Sequence, residues 1–273
     1  MTGFLVSFFS SGFPSHVRKR AIDISSPDME TFLSPVEGVV AKVEKFYVGR
    51  PNRFAKVNYD YLIFIESKGR KVKVLHVEPW VKEGDYVKKG DTIGKFLENP
   101  YTGGDFPHAH VEGIPIRFYP VKRYDPRGVG EVVKVTKDYF DVEVKTYSEA
   151  GPYRGLGCCG GLLNASLPYA GYGGIIGARV GEVEVGGVKF FPHPRRNYTL
   201  FESYPGLIRS WEYEAAFKVL EGRPVFGQAF FEAVLSVRGY PMVRFFVKTE
   251  LKEGEEVDLW ELISRGMKGN GKG

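Results

Sequence analysis

The sequence predicts a mainly β chain in two domains: a compact all-β barrel or sandwich first, then a β-rich α+β domain. Three observations predict this. Between residues 13 and 120, short apolar runs alternate with polar residues at a period of two, Gly- and Pro-containing turns separate them, and no helical periodicity interrupts them. Pro120, Pro126, Gly128 and Gly130 then crowd into one short stretch, the mark of a boundary, which sets the domains at 1–122 and 130–273. Beyond it, alternating strands are interspersed with two segments whose apolar residues fall at helical spacing.

Composition narrows the class. A chain of 273 residues has ample length to bury a core in each of two domains. Hydrophobic residues make up 43%, and no apolar run approaches the roughly 20 residues that would span a bilayer. The opening Met1 to Phe13 lacks a basic start and is broken by Ser7, Ser10, Ser11 and Gly12, so a secretory leader is not expected and the chain reads as cytoplasmic. The net charge of +5 comes from interspersed Lys, Arg and Glu. Such mixing describes a solvated surface and argues against a nucleic-acid partner, although Arg18-Lys19-Arg20 and Arg195-Arg196 are local basic clusters. A single glutamine, Gln228, beside abundant Lys and Glu fits a high-temperature source. The two cysteines, Cys158 and Cys159, are neighbours, a spacing that excludes a disulfide framework and cannot build a structural zinc site unaided.

In chain order, residues 1–12 read as an edge strand or arm. Ala21-Ile22-Asp23-Ile24 sets a carboxylate between apolar residues, and Ser34-Pro35-Val36-Glu37-Gly38-Val39-Val40 is a Pro- and Gly-bounded corner feeding a strand. Strands are expected over Val39–Tyr47, Lys56–Glu66 and Arg70–Val77. From Val81 to Gly94, Val81, Val87 and Ile93 recur every six residues, and each interval holds a Gly-Asp pair suited to a tight turn with positive φ. In the second half, Glu131–Val135 and Tyr139–Val144 read as a hairpin, and the glycine-rich stretch 151–177 as an irregular loop. A helix is expected over Ser210–Leu220 and another with Asp258 as its N-cap and Leu259, Leu262 and Ile263 on one stripe. Strands Val225–Val237 and Met242–Lys248 lie between them, His193 reads as a surface-loop residue, and Gly266–Gly273 as a disordered tail.

The chemistry concentrates at Pro107-His108-Ala109-His110-Val111-Glu112-Gly113. In a strand, residues i and i+2 project from one face, so His108 and His110 present two imidazoles side by side, which is how a metal site begins. His76 ends the alternating run Lys71–His76. Alone it would be an ordinary core histidine, but with the pair it becomes a site candidate.

Taken together, Ala21–Ile24, Ser34–Val40, Val74-Leu75-His76-Val77, the Gly84/Gly90 repeat and Pro107–Glu112 resemble, in order and interval, the motifs of the lysostaphin-type (LytM-like, duplicated hybrid motif) zinc metallopeptidases over roughly residues 12–118. The resemblance implies a barrel-sandwich hybrid fold and one zinc ion, with Asp23 and His110 as ligands. It implies further that His76 and His108 stand beside the metal, orienting or deprotonating a water and stabilising an oxyanion. The implied substrate is a peptide amide, glycine-rich in many of the family's cell-wall substrates. One position departs from the pattern: the family's first ligand histidine lies four residues before the aspartate, where this chain has Lys19, which cannot bind zinc while protonated. Either His16, seven residues before Asp23, loops back to the metal, or the ligand is lost. The second case would leave a non-catalytic binding or scaffolding module. A lipoyl- or biotinyl-like carrier is a third reading, weakened because neither Asp-Lys-Ala nor Met-Lys-Met occurs. For residues 130–273 no resemblance presents itself, and oligomeric state is not legible.

Overall fold

The computed structural model describes residues 3–10, 14–49, 54–102, 104–168, 171–209 and 229–269. These are mainly β and fall into two compact units, one made of residues 18–116 and the other of the residues before 18 and after 116. No helix among the described residues is long and apolar enough to cross a membrane.

In the unit of residues 18–116, six antiparallel strands pair in the order Ala21–Ile24, Ala109–Glu112, Arg70–Leu75, Tyr59–Ser67, Gly38–Tyr47 and Tyr86–Val87. A smaller sheet joins Thr31–Leu33, Thr92–Phe96 and Val77–Pro79. The period-two pattern explains the pairing. Val72 and Val74 are buried while Arg70 and Lys71 are exposed, and Val40, Ile63, Ile65, Ile93 and Val111 are all fully enclosed. Each such side chain contributes about 1.5–3 kcal/mol by leaving water. The Gly-Asp turns form as expected. Gly84 and Gly90 adopt φ of +90° and +91°, and the Asp85 and Asp91 carboxylates accept backbone N–H bonds from Lys82 (2.9 Å) and Lys88 (2.8 Å).

The other unit carries a ladder of ten antiparallel strands. Its order is Glu256–Asp258, Val129–Val135, Phe140–Val144, Met242–Phe245, Phe231–Val237, Gly161–Leu167, Tyr172–Ile176, Tyr198–Glu202, Val188–Arg195 and Val183–Val185. Three expectations are corrected here. The glycine-rich stretch is not a loop, because Tyr153–Cys158, Gly161–Leu167 and Tyr172–Ile176 are strands. Its glycines serve close packing: a Cβ on Gly173 would lie 2.5 Å from both Ala165 and Phe201, and one on Gly174 would lie 2.2 Å from Phe9. His193 sits within a strand, its Nε2 2.9 Å from the Glu202 carboxylate but out of line for a hydrogen bond. The terminal helix runs Leu259–Gly269, through the first part of the expected disordered tail, because Leu259, Ile263 and Met267 bury one stripe against the core. Asp258 caps it as expected, its Oδ1 accepting the N–H groups of Trp260 (2.8 Å) and Glu261 (3.0 Å). The helix expected over Ser210–Leu220 and the start of the strand at Val225 lie outside the described residues.

The N-terminal strand Phe4–Ser7 pairs with Phe231–Val237, and beyond it Asn164 Oδ1 accepts the backbone N–H groups of Phe8 (2.7 Å) and Phe9 (2.9 Å). These bonds tie the first residues of the chain to strands more than 150 positions away.

Asp141 and Arg244 face each other across neighbouring strands, each 4% exposed, with bonds from Nε to Oδ1 (2.7 Å) and from Nη2 to Oδ2 (2.8 Å). Removing Asp141 takes the two-point partner from a buried guanidinium. Asp141→Ala should therefore lower stability by about 3–5 kcal/mol, read from the urea midpoint, and the double variant Asp141→Ala/Arg244→Met should recover part of the loss.

Candidate metal centre

The strand Ala109–Glu112 lies between Ala21–Ile24 and Arg70–Leu75, and its register sets His110 opposite Asp23 on one side and Leu75 on the other. Alternation puts Ala109 and Val111 into the core, so His110 and Glu112 share the opposite face. His110 Nδ1 then lies 3.2 Å from Asp23 Oδ1, and its Nε2 lies 3.1 Å from Glu112 Oε1. Both neighbours are acceptors. Burial opposes charge on this ring, but the bonds to Asp23 and Glu112 outweigh it and raise the His110 pKa, which favours the doubly protonated ring. Glu112 is in turn held by Lys73 Nζ at 3.0 Å, and the His110 bond, opposed by partial burial, helps bring its pKa down to about 2.

His76 stands where the chain leaves Arg70–Leu75 for the smaller sheet, at φ +65°, a left-handed backbone uncommon for histidine. Asp60, fully buried, holds that corner. Its Oδ1 accepts the N–H groups of His76 (2.8 Å) and Tyr61 (2.7 Å), and its Oδ2 accepts His76 Nδ1–H (2.6 Å). Burial disfavours the Asp60 carboxylate, yet His76 and these bonds hold its pKa below the usual value. His108 donates Nδ1–H to the Phe106 carbonyl at 2.7 Å, which assigns the lone pair to Nε2. Burial pushes the His108 pKa down, so this ring is neutral. The His76 ring lies 5.6 Å from that of His108 and 6.0 Å from that of His110, and His108 Nε2 lies 4.0 Å from Asp23 Oδ1. Asp23, His76, His108 and His110 thus converge, as the motif order leads one to expect.

His16 closes the single helical turn Pro14–Val17 and donates Nδ1–H to the Phe8 carbonyl at 3.0 Å, leaving Nε2 as its ligand atom. One ligand atom from each of His16, Asp23 and His110 lies within 4.8 Å of the others, and all three residues are buried. Lys19, by contrast, is exposed at φ +55° and lines an open cleft of about 500 Å³ with Arg20, Lys71, Lys73 and Glu112. Two nitrogens and a carboxylate oxygen make a donor set that suits a divalent metal ion. At 3.2 Å apart, His110 Nδ1 and Asp23 Oδ1 are close enough to share one ion. The group can therefore hold a metal ion, and with Nδ1 as ligand, Nε2–H to Glu112 would be the outer bond that orients the ring.

The motif pattern assigns no role to Asp60, Lys73 or the Phe106 carbonyl, and it contains Glu112 without a role. Glu112, two residues from His110, was detectable by the same alternation. Asp60 was not, since its partner lies in another strand.

The fold and this cluster describe a mainly β protein with an enclosed histidine–aspartate group that could hold a metal ion. Residues 4–117 match the family described as domain of unknown function DUF8155, N-terminal domain. Among solved structures, a chain from the SpoIIQ–SpoIIIAH pore-forming complex is similar at 26% identity over 33% of this chain, with a TM-score of 0.26. The similarity covers 53% of that chain, so this one spans about half its length. No curated protein matches.

The Asp60 carboxylate satisfies two backbone donors and one ring donor, and both Asp60 and His76 are buried. Asp60→Ala should cost at least about 2 kcal/mol in thermal or urea unfolding and should release the ordered His76 Nδ1 proton seen by NMR.

Proposed function

We propose that the chain binds one zinc ion through His16, Asp23 and His110, on a barrel-sandwich hybrid of the lysostaphin type, and acts as a metallopeptidase-like hydrolase on a peptide amide. The mutual approach of those three ligand atoms within 4.8 Å carries the reading. It favours His16 as the third ligand, with Lys19 turned to the cleft. When bound, zinc would lower the pKa of a water to about 7 and polarise a scissile carbonyl. The other roles belong to the chain. His108, neutral and fixed through Nδ1 by the Phe106 carbonyl, presents Nε2 as a proton acceptor. His76, fixed through Nδ1–H by Asp60, has its ring 5.6 Å from that of His108 and, as an imidazolium, would donate its other N–H to a developing oxyanion. Glu112, braced by Lys73, would hold the His110 ring in ligand orientation.

A second reading, a non-catalytic module that uses the ion as a structural clamp or binds a peptide partner, draws support from enclosure. His16, Asp23, His76 and His110 are at most 4% exposed, and His108 is only 9% exposed, which leaves a peptide little approach.

Elemental analysis of the purified chain should find one zinc per molecule. His110→Ala and His16→Ala should each abolish stoichiometric zinc, whereas His193→Ala should retain it; full zinc in the His110→Ala protein would move the site elsewhere. Glu112→Gln should weaken zinc binding by about 10–100-fold, measured by competition with a chelating dye. Hydrolysis of glycine-rich peptides that is lost in His108→Ala while zinc is retained would support the enzyme. Stoichiometric zinc with no turnover on any peptide tried would support the clamp.

A further inference from the structure

A second reactive cluster lies at the hairpin joining Tyr153–Cys158 to Gly161–Leu167, where Cys158 pairs with Gly161 and the two-residue loop is Cys159-Gly160. Both loop residues take positive φ, +55° and +86°, the pattern of a type I′ turn. Gly160 adopts this conformation without strain. Cys159 does not, since a side chain in the left-handed region costs about 1–2 kcal/mol. The cost has a visible consequence. In an extended strand consecutive side chains point to opposite faces, but the reversal at Cys159 returns its thiol to the side of Cys158. The two Sγ atoms lie 2.9 Å apart, and they approach the same acceptor, the Glu184 carbonyl oxygen, at 3.6 and 3.4 Å.

The two thiols differ in exposure and acidity. Cys158 is buried and Cys159 partly open to solvent. The two sulfurs are hydrogen-bonded to each other, and that contact brings the Cys159 thiol down to about 7 and pushes Cys158 well up. The pair thus joins a partly open, more acidic thiol to a buried second one. A bond between them is disfavoured by covalent geometry. Neighbouring Cα atoms across a trans peptide are about 3.8 Å apart, below the 4.4 Å at which ordinary disulfides begin. Two convergent soft donors that resist oxidation to each other form a chelate.

We propose that Cys158 and Cys159 form a bidentate site for a soft, thiophilic metal or metalloid centre, independent of the histidine cluster. With a monosubstituted trivalent arsenical as probe the step balances. Two S–H bonds and the arsenic–oxygen bond break, two S–As bonds form, and the oxygen leaves with both protons as one water. No electrons are transferred.

The test uses the full chain, reduced with a phosphine and then treated with phenylarsine oxide. Intact mass should show one phenylarsenic group per chain, and both cysteines should become unreactive to maleimide. A small dithiol should strip the adduct, while a monothiol at the same concentration should not. Cys159→Ser should weaken retention by roughly a hundredfold or more, because the second bond gains from the high effective concentration of a tethered partner. Cys158 is buried, so the conservative Cys158→Ala is the matching variant, with circular dichroism as the check on folding. Equal retention in wild type and Cys159→Ser, or an adduct that leaves one cysteine open to maleimide, would overturn the proposal.

Discussion

The arrangement of the unit of residues 18–116 depends on one strand pairing. Ala109–Glu112 is hydrogen-bonded on both sides, and its register fixes His110 opposite Asp23 and Leu75 together. A shift of one residue would send His110 and Glu112 into the core and bring Ala109 and Val111 out. The complete burial of Ala109 and Val111 holds the register, so the apolar face of the strand positions the polar one. The centre is precise because hydrophobic packing on the far side of the sheet leaves it no alternative.

Around that strand each imidazole is held by an acceptor of its own: Asp60 for His76, the Phe106 carbonyl for His108, the Phe8 carbonyl for His16, and Asp23 with Glu112 for His110. Buried polar rings require such partners, since an unpaired donor would lose water without compensation. The consequence is chemical as well as structural. For His16 and His108 the carbonyl on Nδ1 settles the tautomer and leaves Nε2 as the basic atom. For His110, the two carboxylates at its ring nitrogens favour a positive centre between them and raise its pKa.

Strained backbone appears at both reactive places. His76 at φ +65° marks the corner between two sheets, and Cys159 at φ +55° folds one thiol over its neighbour. Each position costs energy that nearby contacts must offset: the bonds to Asp60 in the first case and the hairpin ladder in the second.

Much of this was legible in the sequence. The period-two alternation, the Gly-Asp turns at Gly84 and Gly90, and the Asp258 cap follow from local chemistry, because burial on one face and positive φ are demands that single residues announce. The convergence of Asp23, His76, His108 and His110 was legible through the order of their motifs. The spacing of His16 alone left two outcomes open, and the Phe8 carbonyl that holds its ring is a partner no local pattern announces. The stretch 151–177 read as a loop because glycine is a poor strand former in isolation, whereas its glycines make room for Ala165, Phe201 and Phe9, neighbours that no local pattern reveals. The same limit hid Asp60, sixteen residues from His76, and the attachment of Phe8 and Phe9 to Asn164. Local periodicity and turn chemistry are properties of the sequence; which distant backbone comes to lie against a given side chain is decided only when the sheets close.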